Sequence, residues 1–593
     1  MRLPLRLSLA LGLGLLANTP ARAADLHVLI GNQNTPTFFN DIVGTDVLWN
    51  AGYFGSGVVI ANVEAGHPWA GHEVFDRTAL GIALTPALQV NAPASPAAPE
   101  LGEVDFHATM VAHILVGAKT ITNPDTSVDV TLAGIGMAPL ATLWSGAIAT
   151  TFDKTIENAG SFETSDESFR TPYVAFFTGT PHGRADVINS SWGFDDPSGI
   201  ALETRTLTGL AAQNPTVAAV FSAGNSGGGP NRVSGPATSP NLISVGSLGG
   251  DRWLTPSSFS SGAPADFYNP ATDTTIPGIR AAVHLAAPGE NFALAAYLQP
   301  TGGLEPLLND AGINNPANNL YFNFNQSGTS FAAPVVSGGI ALLKNIARGG
   351  VYSLPQDSAY DTRVLRSVLM ASAFRTEGWD NGQAPGPGGA IITTQALDYR
   401  TGAGALNVGQ AALLYALGTT DVPGTGGGTG LAPSGWDRGS VTLGNSNAYV
   451  IDLTGVTSPS ELTVSLNWFV SDTFNSIDGT VAYGSFADLD LEIWSVSFDA
   501  NPATLLAASR TLYNTSEFLR IGITPGTLFD LRVRFAGVVY DFDASSVGGV
   551  VYGLAWATTS IPEPASFATL ASLGAAFLAL RRRPRLAART PTV

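Results

Sequence analysis

Six short runs of the chain are apolar nearly from end to end: GVVIANV (57–63), ATLWSGAI (141–148), ADVINSS (185–191), PTVAAVF (215–221), NLISVGS (241–247) and AAVHLAA (281–287). A strand with one wet face alternates apolar and polar residues. These runs are continuous, so both faces of each strand need cover. A parallel sheet between two layers of helices meets that need, because parallel neighbours require long crossovers and the crossovers supply the cover. Helical patterns fall at about 107–117, 201–213 and 329–347. The first two thirds of the chain are therefore expected to be α/β.

Past TGAGALNVGQAALLYAL the composition changes sharply, at VPGTGGGTGLAPSG (422–435), which reads as a flexible linker. Between Ser440 and Ala557 the pattern alternates instead, in AYVIDL, ELTVSLNWFV, LDLEIWSV and LFDLRVRF. That period predicts a C-terminal antiparallel β-sandwich. The expected organisation is a first α/β domain over 24–416, a Gly-rich linker over 417–436 and a sandwich over 437–558. Each part holds enough apolar segments for a core, so residues 24–421 are expected to fold alone. No internal repeat of 20 to 50 residues stands out.

Both ends read as processing segments. Arg2 and Arg6 precede the apolar run Leu7 to Leu16, and Ala21-Arg22-Ala23 offers small residues for cleavage, the order of a secretory signal peptide over 1–23. At the other end Ile561 to Pro564 (IPEP) leads into 16 apolar or small residues, Ala565 to Leu580, and then Arg581-Arg582-Arg583. Segment 561–593 resembles the PEP-CTERM sorting signal of Gram-negative bacteria. The resemblance implies export, transient membrane insertion, handling by exosortase-type machinery and cleavage near the motif. The alternative is a plain membrane anchor, for which the run is short against the about 20 residues a spanning helix needs.

Removing these ends takes away eight arginines and one glutamate. The body then holds 20 basic against 45 acidic residues, a formal charge of −25. Such a surface repels nucleic acid. The chain has no cysteine, so an exported form must draw its stability from packing.

Ser330 stands in NQSGTSFAAP, where small polar residues run directly into an apolar helix. A helix start presents free backbone N–H groups and the positive end of its dipole, so a hydroxyl there is either a cap or a nucleophile. A nucleophile needs a general base, a group that orients it, and donors for an oxyanion. Three segments supply candidates: Glu64 at the end of VVIANVEAG, His107 at the start of the helix in VDFHATMVAHILVG, and Asn225 in AVFSAGNSGGG.

These segments, over roughly residues 40 to 416, resemble the subtilisin-like serine peptidases. GTSFAAP (328–334) matches the family's serine motif, and FHATMVA its histidine helix, with Ala108 where the family has glycine. The resemblance implies Ser330 as nucleophile, His107 as base, Glu64 in the acid's place and Asn225 as oxyanion donor. It also implies a primary specificity pocket lined by Ser191, Trp192 and Gly193 of INSSWG, with Ala223 and Gly224 of SAGN. GPATSPNLISVG and LAAPGE match segments that carry fold more than chemistry. One position departs: the family has aspartate where this chain has Glu64, which keeps the charge and adds a methylene. Asp105 is a less suitable acid, only two residues from the histidine.

The expected activity is hydrolysis of protein or peptide bonds through an acyl-enzyme, at the cell surface or outside the cell. The alternative is a non-catalytic surface or binding protein, with Glu64 and Ala108 as signs of decay. No cofactor is required by this chemistry. EAGHPWAGHE gathers Glu64, His67, His72 and Glu73 but lacks the spacing of a zinc site. His113 is expected to pack on the far face of the histidine helix. Asp488 and Asp490 of DLDLEIW are candidates for a structural Ca²⁺, or simply the exposed face of a strand.

Overall fold

In the computed structural model the six apolar runs become strands of one eight-stranded sheet. The structure describes residues 29–30, 37–77, 88–91, 104–119, 121–122, 131–133, 135–152, 162–227, 232–295, 312–315, 320–350, 354–418, 426–458, 460–496, 503–523 and 526–560. The signal peptide, the PEP-CTERM segment and residues 419–425 of the linker lie outside the described residues.

The strand order across the sheet is Thr255–Pro256, Ile243–Gly249, Ala218–Ser222, Val187–Ser190, Val59–Glu64, Thr142–Ala147 and Leu88–Val90, with Leu285–Pro288 also pairing on Ile243–Gly249. Every pairing is parallel except that of Thr255–Pro256. The strands are mostly apolar because they feed two cores. Ile60, Val187 and Val220 pack with the helices Phe106–Val116 and Thr329–Arg348 on one face. Ala61, Val63, Ile188 and Phe221 pack with Asp166–Thr178 and Leu202–Gln213 on the other. Helix Thr329–Arg348 is long and apolar enough to cross a membrane, yet it lies buried inside the protein. The run at 281–287 forms its strand late, at Leu285–Pro288, since Ala282 and Val283 turn into the second core.

The C-terminal region consists of two mainly antiparallel sheets. One has seven strands built around Ser485–Ser495 and Leu528–Asp541, two of them the short strands Ala384–Pro385 and Ile391–Ile392 from before the linker, and the other holds Gly435–Val441, Val550–Ser560, Ser460–Trp468 and Ser516–Ile523. Trp468, Trp556, Tyr449, Leu489 and Leu531 share one core across them.

The linker does not mark a gap in packing. All ten residues of helix Thr362–Ala371 are buried, with Val364, Leu365, Val368 and Leu369 in the α/β core. Strands Ser460–Trp468 and Val550–Ser560 lie against the same helix. The approach is so close that a Cβ at Gly553 would collide with the backbone of Arg363 and Val364. Arg366, fully buried, bridges the two regions: it donates to Pro240 O (2.9 Å) and Leu242 O (3.3 Å) on one side and to Trp468 O (3.0 Å) and Thr515 O (3.2 Å) on the other. A hairpin, Thr473–Phe474 with Val481–Ala482, crosses helix Leu202–Gln213 and sinks Phe474 into the second core.

Four carboxyl groups of the C-terminal region are pushed up by burial: Asp472 to about 6, Asp488 to about 7, Asp490 to about 6 and Glu517 to about 8. A carboxyl that holds its proton in the folded state favours folding at low pH. That contribution is complete below its unfolded pKa and is lost as pH rises through the folded one. The protein is therefore expected to be less stable at pH 8 than at pH 5, with Glu517, fully buried, contributing of the order of 4 kcal/mol. Denaturant melts of the parent and Glu517→Gln at both pH values check this; the variant should lose the Glu517 share of the difference and keep that of Asp472, Asp488 and Asp490.

Candidate active site

The sheet puts several candidate segments along one edge, at the carboxyl ends of neighbouring parallel strands, where an α/β sheet opens a crevice. Glu64 ends its strand, 1% exposed. Its Oε1 accepts the Ser191 N–H at 2.8 Å and its Oε2 lies 3.1 Å from His107 Nδ1. Burial raises the Glu64 pKa, and the hydrogen bond from His107 opposes that rise only in part.

His107 opens helix Phe106–Val116. Asp105 is the N-cap: its Oδ1 accepts the His107 backbone N–H at 2.9 Å, which commits that carboxylate to the helix end and leaves the imidazole to Glu64. Asn62, on the glutamate strand, donates to Ala108 O at 3.3 Å and ties the helix to the sheet. Burial alone would lower the His107 pKa, but the hydrogen bond and charge of Glu64, with the charge of Asp105, carry it above the ordinary imidazole value. The His107 side chain is 26% exposed, so the ring has one side toward the crevice.

Ser330 is the second residue of helix Thr329–Arg348. Its hydroxyl donates to Ser191 O at 3.1 Å, and Ser191 Oγ donates back to Ser330 O at 2.8 Å. Among the described residues, no hydrogen bond joins Ser330 to His107. The Phe331 ring packs against the imidazole, 6.0 Å between centroids. Catalytic hydrogen bonds are often long or unformed before substrate binds.

Asn225 lies just past strand Ala218–Ser222. Its Oδ1 accepts both the N–H and the hydroxyl of Thr329, each at 2.8 Å. With its oxygen so engaged, the amide presents Nδ2 as a donor beside the start of the serine helix. Thr329 Oγ1 also accepts the Gly224 N–H at 3.2 Å. Thr329 is thus the hub that fixes Asn225 and Gly224 relative to Ser330, a role hidden in the middle of the G-T-S motif.

Of the proposed pocket residues, Ser191, Ala223 and Gly224 sit where the two flanking segments leave the sheet. Trp192 turns inward: its Nε1 donates to Val63 O at 3.1 Å and its ring packs on Phe169, Tyr173 and Phe221. The other histidines that the sequence singles out, His67, His72 and His113, are held elsewhere. His67 contacts Ser145 Oγ (2.7 Å) and Asn91 O (2.6 Å), His72 caps the turn Glu73–Phe75, and His113 accepts the Ala295 N–H at 3.1 Å. Among the described residues, no group of three or more His, Asp or Glu side chains is placed to hold a metal ion. Asp490, one of the two calcium candidates, has Arg534 at 3.6 Å and Arg510 at 4.0 Å, while Asp488 Oδ1 is buried with no hydrogen-bond partner among the described residues.

A family model described as the subtilase family, Peptidase_S8, matches residues 72–404. Among curated proteins none matches. Solved structures similar to this chain include the prenylagaramide maturation protease PagA, with 21% identity over 62% of this chain and 98% of that one, at a TM-score of 0.39. A serine protease of Aeromonas sobria is 15% identical over 87% of this chain and 91% of its own, at 0.40. The same protease in complex with its chaperone ORF2 gives 14% identity at the same coverage and score.

Proposed function

The chain belongs to the subtilase family of serine peptidases, whose model matches more than half of it, and on that premise we propose that it is an exported endopeptidase working through a Glu64–His107–Ser330 triad. The family match begins beyond Glu64, so the acid's role rests on geometry. The observation that carries the reading is the buried Glu64 carboxylate on His107 Nδ1 at 3.1 Å. It sets the tautomer that leaves Nε2 free to take a proton.

Ser330 Oγ then attacks the peptide carbonyl as His107 removes its proton. Asn225 Nδ2 and the Ser330 N–H hold the developing oxyanion at the positive end of the helix. His107 returns the proton to the leaving amine, and water, activated by the same imidazole, releases the acyl group. A non-catalytic reading draws on one observation, the Ser330 hydroxyl directed at Ser191 O. A fluorophosphonate probe decides between the two: labelling at Ser330 supports the peptidase, and an unlabelled folded protein sinks it.

If Glu64 orients His107, Glu64→Gln should cut kcat by about 10⁴ through the wrong tautomer, while Glu64→Asp stays within about tenfold of the parent. The pH profile gives a second readout. Because only neutral His107 accepts the proton, activity should fall as pH drops through its raised pKa, and Glu64→Gln should move that acid limb down. Equal activity in the parent and Glu64→Gln would remove Glu64 from the triad.

Export is proposed from the order of the terminal segments: a basic, apolar, small-residue start, and an IPEP motif followed by 16 apolar or small residues and three arginines. Sixteen residues span about 24 Å as a helix against an apolar bilayer core of about 30 Å, which suits a transient sorting intermediate. Mass spectrometry of protein from its host should find a chain ending near Pro564. One still ending at Val593 would refute processing.

A further inference from the structure

Beneath the triad lies a layer of buried polar side chains that the reaction does not touch. Asn62 and Asn189 stand opposite each other on neighbouring parallel strands, each two residues before a residue of the site, Glu64 and Ser191. Residues two apart on a strand share a face, and on this face lie the helices that carry His107 and Ser330. One step further down, the same face holds Ile60 and Val187 in the apolar core. Ser337 meets the layer from the serine helix, seven residues and about two turns past Ser330, hence on the same side of it.

The hydrogen bonds run in one direction. Ser337 Oγ donates to Asn189 Oδ1 at 2.8 Å. Asn189 Nδ2 then donates to Asn62 Oδ1 at 3.3 Å and to Ser191 Oγ at 3.2 Å. Each of these side chains passes a donor on to a triad segment. Asn62 Nδ2 donates to Ala108 O, beside His107, at 3.3 Å, and the Ser191 hydroxyl donates to Ser330 O at 2.8 Å. That carbonyl needs a donor from outside its helix, because the residue four positions on is Pro334, which has no N–H. Asn62, Asn189 and Ser337 are fully buried, and among the described residues none of their buried side-chain polar atoms lacks a partner.

Apolar side chains could fill this layer, as they do one step below, and exchanging satisfied polar pairs for apolar groups of the same shape is nearly neutral in stability. What a fully satisfied network adds is a fixed geometry. We propose that Asn189 is a positioning residue for peptide hydrolysis: through Asn62 and Ser191 it sets the His107 helix and the Ser330 helix at the separation that proton transfer needs, with Ser337 locking its amide. This rests on the triad reading above.

The test compares the parent, Asn189→Ala, Ser337→Ala and the double variant in kcat per active site, the sites being counted by the end point of fluorophosphonate labelling. A merely structural role would lower the number of sites and leave each as fast as the parent's. Because misplacing reacting groups by about 1 Å costs about 10²-fold, kcat per site should fall about 30- to 100-fold in Asn189→Ala and about 5- to 10-fold in Ser337→Ala. KM should stay within about twofold, since the network touches no substrate. The labelling rate should fall in step with kcat, and the acid limb of the pH profile should stay in place, because the variants leave the Glu64–His107 pair as it is. The double variant should match Asn189→Ala, since Ser337 acts only through that amide. Ser337→Ala removes one hydroxyl and puts a good helix former in its place, so it decides the matter where Asn189→Ala does not fold. A kcat per site within about twofold of the parent's, in Ser337→Ala and in any Asn189→Ala that folds, overturns the role. Losses that multiply in the double variant overturn the path through Asn189. A parent that folds but does not label overturns the triad reading itself, a failure distinct from these.

Discussion

Ser330→Ala is expected to abolish fluorophosphonate labelling and to cut kcat by about 10⁶, the scale on which removing the nucleophile or the base disables a serine peptidase of this kind. The loss should come without unfolding. Ser330 is 8% exposed, and among the described residues its side chain makes one hydrogen bond, to Ser191 O. Its removal leaves the carbonyl of a residue that still has two other ties, the Glu64 carboxylate on its N–H and its own hydroxyl on Ser330 O. One surface-proximal hydrogen bond is worth about 1 kcal/mol, so the melting temperature should shift by only a few degrees. His107→Ala should match it in activity, and the double variant should be scarcely worse than either single one, because the two residues act as a unit. Retained labelling in Ser330→Ala would show that the probe reacts elsewhere. Strictly additive losses would show that the two side chains do not cooperate.

The positions of the candidate residues were legible where a local pattern marks the end of a strand or the start of a helix. Glu64 ends a buried strand, His107 and Ser330 lie in the first turn of their helices, and Asn225 follows a buried strand, positions that show in the apolar runs beside them. The sheet was legible for the same reason that it is buried: residues such as Ile60 and Ala61 supply two cores in alternation, so neither face could be polar. Helix Asp166–Thr178 was missed, with Pro172 in its interior and a mixed pattern around it. The inward turn of Trp192 was not readable either, since it depends on Val63 O and on three aromatic rings from other elements. Contacts of this sort have no local signature. Arg366 belongs with them, as it draws its meaning from chain segments distant in sequence.

The packing of helix Thr362–Ala371 leads to the second large effect: a fragment ending at residue 421 should not fold. Its loss would strip the strands Ser460–Trp468 and Val550–Ser560 from a helix with no exposed residue. Arg366 would keep its acceptors Pro240 and Leu242 and lose Trp468 and Thr515. Burial already lowers its pKa to about 9, so the remaining partners hold the charge with little to spare. Each lost hydrogen bond to a charged group costs about 1.5–3 kcal/mol. Two of them consume much of a net stability of about 5–15 kcal/mol, before the apolar side of the helix and the core around Phe474 are wetted. Residues 24–421 and 24–560, produced in parallel, should differ accordingly: the longer chain melts cooperatively and labels at Ser330, and the shorter does neither. Gly553→Val in the full chain probes the same interface without truncation, because the new side chain meets the Arg363 backbone, which cannot swing aside. Overpacking of this kind costs about 1–3 kcal/mol or more, so that variant should melt several degrees below the parent. A fragment 24–421 that melts cooperatively and labels would make the C-terminal sheets an accessory; if it does not, they complete the core on which the active site is built.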